Sequence, residues 1–252
     1  MTEMAILNDV TKCIGCRACQ SACKQWNELP AEKTTFANTC GYQNPADLSH
    51  NTWTLVKFIE WEENQEVRWN FLRLACKHCS DAACQEICPV DAIDQTGEGF
   101  VIINQDECVS CGMCKEACPY DIPRIGDKAT KCRFCIDRVY NDLEPSCVKT
   151  CPTSALLYGP RDEMLERAHE ISRKNPDWHV YGEEELDGLH TLFVLPGKLE
   201  TFELVKNPKH GKIIDFTKAL KYIIPGSLLI SGLKLISGVD DNKSENTKQP
   251  KG

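Results

Sequence analysis

The sequence predicts an α+β fold of two interlocked cysteine-rich modules, with a β-hairpin insertion and a C-terminal helical extension. Three observations predict it. The 252-residue chain carries seventeen cysteines, and sixteen of them fall into four runs of four. Segments 53–61 and 66–74 are rich in β-branched and aromatic residues and flank a polar stretch, the pattern of a hairpin. After Cys151 the cysteines stop, and residues 160–174 place Met164, Leu165, Ala168 and Ile171 at helical spacing.

The third run is Cys108-x2-Cys111-x2-Cys114-x3-Cys118-Pro119, the bacterial ferredoxin spacing for a cubane iron–sulfur cluster. Three cysteines three residues apart let one tight loop hold three corners of the cube. The fourth, with proline blocking continuation of the local turn, projects towards a neighbouring cluster, so paired runs interlock. The second run, Cys76-x2-Cys79-x4-Cys84-x3-Cys88-Pro89, repeats the grammar. So do Cys13-x2-Cys16-x2-Cys19-x3-Cys23, where Lys24 replaces the proline, and Cys132-x2-Cys135-x11-Cys147-x3-Cys151-Pro152. One cluster per run gives four [4Fe-4S] clusters, and each module reads as bacterial-ferredoxin-like with two of them. Cys40 is left over and reads as structural or incidental.

Composition narrows the alternatives. The hydrophobic fraction of 42% and charged fraction of 26% are ordinary for a folded protein, whereas the cysteine content is not. Disulfides are disfavoured, because repeated C-x2-C triplets resist pairing and no signal peptide opens the sequence. Zinc uses C-x2-C pairs too, but has no use for a third triplet cysteine or the trailing Cys-Pro. The net charge of −8, made more negative by ligated thiolates, argues against a nucleic-acid partner. Lys12, Arg17, Lys24, Lys77, Lys115, Lys131 and Arg133 lie near the runs. They read either as solvated cations or as charges that offset the clusters and raise their potentials.

Taken in order, residues 1–11 lead as a strand into the first run, and Gln25, Trp26 and Asn27 continue a helical turn after it. Residues 31–75 are an insertion ending in the hairpin, expected to shield clusters from water, its tryptophans packing. Residues 76–118 form a central two-cluster module, with a strand over 97–103. Residues 1–30 and 119–160 together form the other module. The phrases after Cys88-Pro89, Cys118-Pro119 and Cys151-Pro152 repeat, each expected as a short helix ending behind a fourth ligand. The gap between Cys135 and Cys147 is expected as a rim loop. Residues 161–220 are a covering or docking region, with a helix over 160–174 and strands over 178–181 and 191–195. Residues 222–239 are apolar, but Pro225, three glycines and Lys234 favour a membrane-proximal or buried segment over a spanning helix. Residues 240–252 read as a disordered tail.

Four runs in this order, with x4 in the second and x11 in the fourth, resemble the four-cluster iron–sulfur subunits of molybdenum- and tungsten-enzyme complexes. Cys23-Lys24-Gln25-Trp26-Asn27 and the Thr-x-Lys-Cys132-x2-Cys135 phrase are most similar to the formate dehydrogenase beta subunit. The resemblance covers residues 1 to about 200 and all sixteen cysteines. It implies crossed wiring. One cluster falls on Cys13, Cys16, Cys19 and Cys151, and another on Cys132, Cys135, Cys147 and Cys23. A third falls on Cys76, Cys79, Cys84 and Cys118, and the last on Cys108, Cys111, Cys114 and Cys88. The resemblance also implies a non-catalytic electron wire in a hetero-oligomer, between a molybdopterin catalytic subunit and a membrane cytochrome or quinone-reactive subunit. Export alongside a signal-bearing partner would put that complex on the outer or periplasmic face of the membrane, with a cytoplasmic location as the alternative.

The same wire would serve a hydrogenase, a reductive dehalogenase or a sulfur or sulfoxide reductase, and a zinc-stapled module is the reading from another class. No P-loop, GxGxxG or C-x-x-C-H motif points to substrate chemistry on this chain. His78, between Cys76 and Cys79, reads as a surface histidine or as a hydrogen-bond partner of cluster sulfur.

Overall fold

The computed structural model describes residues 2–34, 42–63 and 65–210. Cys40 and the 222–239 segment lie outside the described residues. Strand β1 (Met4–Asp9) follows an almost continuous apolar run, and all but its first residue are buried. Such a strand must be covered on both faces, and it is. Ala5 and Leu7 pack against the helix over Arg161–Ser172, while Ile6 faces Cys19, Phe134 and Cys147. Helix α1 (Ala18–Trp26) carries Cys19 and Cys23 on its buried side and includes Gln25 and Trp26, the continuation expected from the missing proline.

The hairpin forms as expected, from β2 (Leu55–Glu63) and β3 (Glu66–Leu74), with Phe58 opposite Phe71 and Val56 opposite Arg73. Strand periodicity gives its two faces different work. Val56, Phe71 and Arg73 face the first cysteine run, while Leu72, Ile59 and Trp61 pack into the core built on Val10, Tyr181 and Phe193. Not every tryptophan packs: Trp69 is exposed on the outer part of the hairpin.

The central stretch folds into α2 (Ala83–Glu86), the paired strands β4 (Ile93–Gln95) and β5 (Val101–Ile103), and α3 (Met113–Ala117) packed on α2. A small ladder, β6 (Arg124–Ile125) with β7 (Ala129–Thr130), leads to α4 (Ile136–Val139) and α5 (Ser146–Lys149). The Cys-Pro phrases are not helices. In each, the short helix precedes the fourth cysteine, and the proline opens a turn whose Asp91, Asp121 or Ser154 is left-handed. Proline cannot continue a helix it does not start, so the repeated phrase encodes a stop.

Strand β8 (Leu156–Pro160) pairs antiparallel with β1 and runs into α6 (Arg161–Ser172), whose Ala168 and Ile171 cover the β1 face opposite the cysteines. Strands β9 (Trp178–Tyr181) and β10 (Thr191–Pro196) complete a sheet of order β8-β1-β10-β9, in which β10 lies parallel to β1. Beyond it a single turn seats Phe202 against Trp61. His210 then meets Asp81 at 2.9 Å and Glu86 at 3.1 Å, next to α2. Among the described residues no helix is long and apolar enough to cross a membrane.

Candidate iron–sulfur sites

Each cysteine run makes the same local turn. The residue before its second cysteine has a left-handed backbone: Gly15 (φ 66°), His78 (φ 48°), Ser110 (φ 56°) and Phe134 (φ 58°). For the three that are not glycine this conformation costs of the order of 1 kcal/mol or more, and it persists where surrounding structure demands it. The turn points backbone N–H groups inward, the arrangement that binds anions. His78 N–H points to Cys76 Sγ at 3.5 Å, and Ser110 N–H to Cys108 Sγ at 3.5 Å. Two further backbone donors reach sulfur, Ala92 to Cys88 at 3.2 Å and Ala129 to Cys108 at 3.4 Å. At Gly15 a side chain is excluded as well, since a Cβ would stand 2.8 Å from the Phe71 ring.

Tertiary structure then gathers cysteines from different runs. Cys13, Cys16, Cys19 and Cys151 line one cavity, here site I. Cys23 lies among Cys132, Cys135 and Cys147 at site II, close enough for their thiolates to repel. Cys76, Cys79, Cys84 and Cys118 line a second cavity, site III. Cys88, Cys108, Cys111 and Cys114 line a third, site IV. Each tetrad thus takes three residues from one run and a fourth from another. None of the sixteen described cysteines is in a disulfide. Among the described residues no three His, Cys, Asp or Glu side chains converge as a mononuclear metal site requires. At sites I, III and IV the four thiols stand around a cavity instead.

The sites lie in series. Cys19 of site I interacts with Cys147 of site II, Cys132 of site II with Cys76 of site III, and Cys114 of site IV with Cys84 of site III. Site II is wholly enclosed, its four cysteines all buried, while Cys16 at site I is exposed and Cys111 at site IV is half-buried. Between the sites lie aromatic rings and apolar side chains. Phe134 stacks on Phe100 with centroids 4.2 Å apart, and the His78 ring meets Phe134 edge-on at 5.0 Å.

Burial pushes the thiols up, Cys19, Cys84 and Cys132 to about 12 and Cys118 to about 11. Such groups do not ionise by themselves at neutral pH. Iron supplies the positive charge that makes them thiolates, so cluster binding releases protons. Two lysines stand in unusual surroundings. Lys77 and Lys131 are buried, not solvated. Burial lowers the Lys77 pKa to about 7, whereas the nearby Cys76, Cys84 and Cys132 raise that of Lys131 against the effect of burial. Lys77 Nζ lies 4.2 Å over the Phe193 ring, and Lys131 Nζ donates to the Val101 and Cys132 carbonyls. His78 is not a surface residue: it is fully buried, and its Nδ1 accepts the Val101 N–H at 3.0 Å. A ring held in that way is neutral, and burial keeps its basicity well below that of a free imidazole.

Arg73 is the residue that sequence reasoning misses. It is fully buried beside Cys19, Cys23, Cys132 and Cys147, whose thiolates raise its basicity further against the opposing effect of burial. The available signal was its register: along Val67, Trp69, Phe71 and Arg73, the one face of β3, it is a lone cation among apolar residues.

Comparison with known proteins agrees with this chemistry. Residues 67–161 match the family described as 4Fe-4S dicluster domain, and residues 11–26 match 4Fe-4S binding domain. The formate dehydrogenase-O iron-sulfur subunit of Escherichia coli is 38% identical over 231 residues, covering 86% of this chain and 76% of that one. Formate dehydrogenase 2 subunit beta (cytochrome c-553) of Nitratidesulfovibrio vulgaris is 37% identical, covering 75% of this chain and 92% of its own. One subunit of the anaerobic dimethyl sulfoxide reductase of Escherichia coli is 32% identical over 69% of this chain and 82% of its own. With thiol tetrads in series and relatives of this identity and coverage, the chain belongs to the family of formate dehydrogenase iron–sulfur subunits.

Proposed function

We propose that this chain is the non-catalytic electron-transfer subunit of a formate dehydrogenase complex, carrying electrons through four [4Fe-4S] clusters. The observation that carries the reading is the serial order of sites I to IV, with one end at exposed Cys16 and the other near half-buried Cys111. Clusters bound there would each take up and pass on one electron. The ligand sets are the crossed ones, Cys13, Cys16, Cys19 and Cys151; Cys132, Cys135, Cys147 and Cys23; Cys76, Cys79, Cys84 and Cys118; Cys108, Cys111, Cys114 and Cys88. On this assignment residues 1–30 and 119–160 form one interlocked module and residues 76–118 the other.

The chain's own contribution is to fix positions, exclude water and set charge. Phe71 and Val56 cover site I, Phe100 and Phe134 fill the space beside site II, and backbone N–H groups address the sulfurs. The formate dehydrogenase relatives support a molybdopterin catalytic subunit as one partner, and a membrane quinone- or cytochrome-linked subunit follows as the other. We place the complex at a membrane, on its outer or periplasmic face. The relative named for dimethyl sulfoxide reduction supports a second reading, the same wire serving a different catalytic subunit.

The test is metal analysis of the anaerobically purified protein, followed by reductive titration under electron paramagnetic resonance. About sixteen iron per chain and four reducible centres are expected. A colourless protein carrying zinc would overturn the reading. Identification of the co-purifying catalytic subunit separates formate oxidation from sulfoxide reduction.

A further inference from the structure

We propose that Arg73 is a positioning residue for electron transfer, a fixed cation shared by sites I and II whose N–H groups address cluster sulfur on both sides. The inference rests on the electron-transfer reading above. Arg73 lines the cavity of site I beside Cys13, Cys16, Cys19 and Cys151. The charges that act on it come from both sites, Cys19 from one and Cys147, Cys132 and Cys23 from the other. Its side chain is fully buried, and its Nε and Nη1 atoms have no hydrogen-bond acceptor in the protein. Among the described residues it forms no ion pair with a carboxylate. A guanidinium cannot shed its proton, so burying it with idle donors is costly unless an anion lies where those donors point. Thiolates and inorganic sulfide of bound clusters supply that anion.

The placement is specific. Register sets Arg73 opposite Val56 and two residues from Phe71, so the guanidinium points to the cysteine side of the hairpin. Lys131, near Cys132, Cys76 and Cys84, also brings charge, but its ammonium donates to the Val101 and Cys132 carbonyls. Its remaining donor turns to Cys76 at site III, whereas Arg73 lies between sites I and II with donors that no protein atom accepts.

One consequence arises from that position. An electron added to either neighbouring cluster increases its negative charge, so the fixed cation favours the reduced form at sites I and II.

The test is a redox titration of the intact holoprotein, followed cluster by cluster by electron paramagnetic resonance, in wild type, Arg73→Gln and Arg73→Lys. In Arg73→Gln the midpoints of sites I and II move to more negative potential while those of III and IV stay. Arg73→Lys keeps the charge and lies between wild type and Gln. Unchanged midpoints in a fully loaded Gln variant would overturn the inference, as would an equal shift of all four. Should Arg73→Gln lose iron, the loss must fall on sites I and II and must be restored in Arg73→Lys; failure of that rescue counts against it. A wild-type protein lacking four reducible centres would sink the electron-transfer reading itself, an outcome distinct from unmoved potentials in the variant.

Discussion

Gly99 gives its side-chain space to His190: a Cβ at Gly99 would stand 1.8 Å from the imidazole. The ring that occupies that space ties three segments together. Its Nδ1–H donates to the Met4 carbonyl at 2.8 Å, leaving Nε2 to accept from the Ser80 hydroxyl at 3.4 Å. The His190 backbone N–H meets the Lys77 and His78 carbonyls at 3.1 and 3.0 Å. The first strand, the loop of site III and β10 are therefore joined at one residue.

Gly99→Ala is expected to destabilise the fold by about 3 kcal/mol, because the methyl group meets a ring that cannot move freely and φ is +89° there. Thermal unfolding of the loaded protein, followed by loss of cluster absorbance, measures it. A melting temperature equal to wild type would show that the ring has room to give.

Acid should weaken the same junction. Burial holds His190 below its ordinary basicity. The unfolded chain then takes up a proton that the folded chain refuses, so stability falls as pH drops through the unfolded histidine value near 6.5, by at most about 1.4 kcal/mol per pH unit. Stability measured between neutral and mildly acidic pH should show this slope, and His190→Gln should reduce it, leaving the part that buried His78 contributes in the same way. A slope unchanged in the variant would assign the acid sensitivity to other groups.

Crossed ligation makes a counter-intuitive prediction for Cys118→Ser. Cys118 belongs by sequence to the run of Cys108, yet it lines the cavity of Cys76, Cys79 and Cys84. The site III signal should disappear or convert, with iron falling by up to about a quarter, while the cluster held by Cys108 survives. Loss confined to site IV would disprove the crossing. Cys40→Ser should leave iron content unchanged.

Phe134 is the apolar filler beside site II, stacked on Phe100 and facing His78. Phe134→Ala is expected to cost about 3 to 5 kcal/mol through the cavity it leaves. It should also speed oxidative bleaching by admitting water and oxygen beside that site. Equal bleaching rates would mean that the shielding comes from elsewhere.

The cysteine grammar was legible because four thiolates around one cube restrict spacing far more tightly than packing restricts an apolar core. The hairpin, α6 and the strands at 178–181 and 191–195 were legible from alternation, helical period and Asn175-Pro176. Features decided by long-range contact were not. Arg73 looks like any strand arginine until its face is known, and His78 looks exposed until Phe134 and the Val101 N–H close over it. The Cys-Pro phrases misled for a local reason: their small and apolar residues suit a helix, but the left-handed Asp91, Asp121 and Ser154 turn the chain away.

The first strand has its neighbours on both sides, β8 and β10, in the last part of the described chain. During synthesis on the ribosome, the amino terminus therefore leaves the exit tunnel with its triplet of thiols and nothing to close over them. Only when translation has passed β10 can the sheet form around it. The hairpin that covers Cys13, Cys16 and Cys19 is thus made well before the strands that hold β1 in place, so the first site is complete only after its cover already exists.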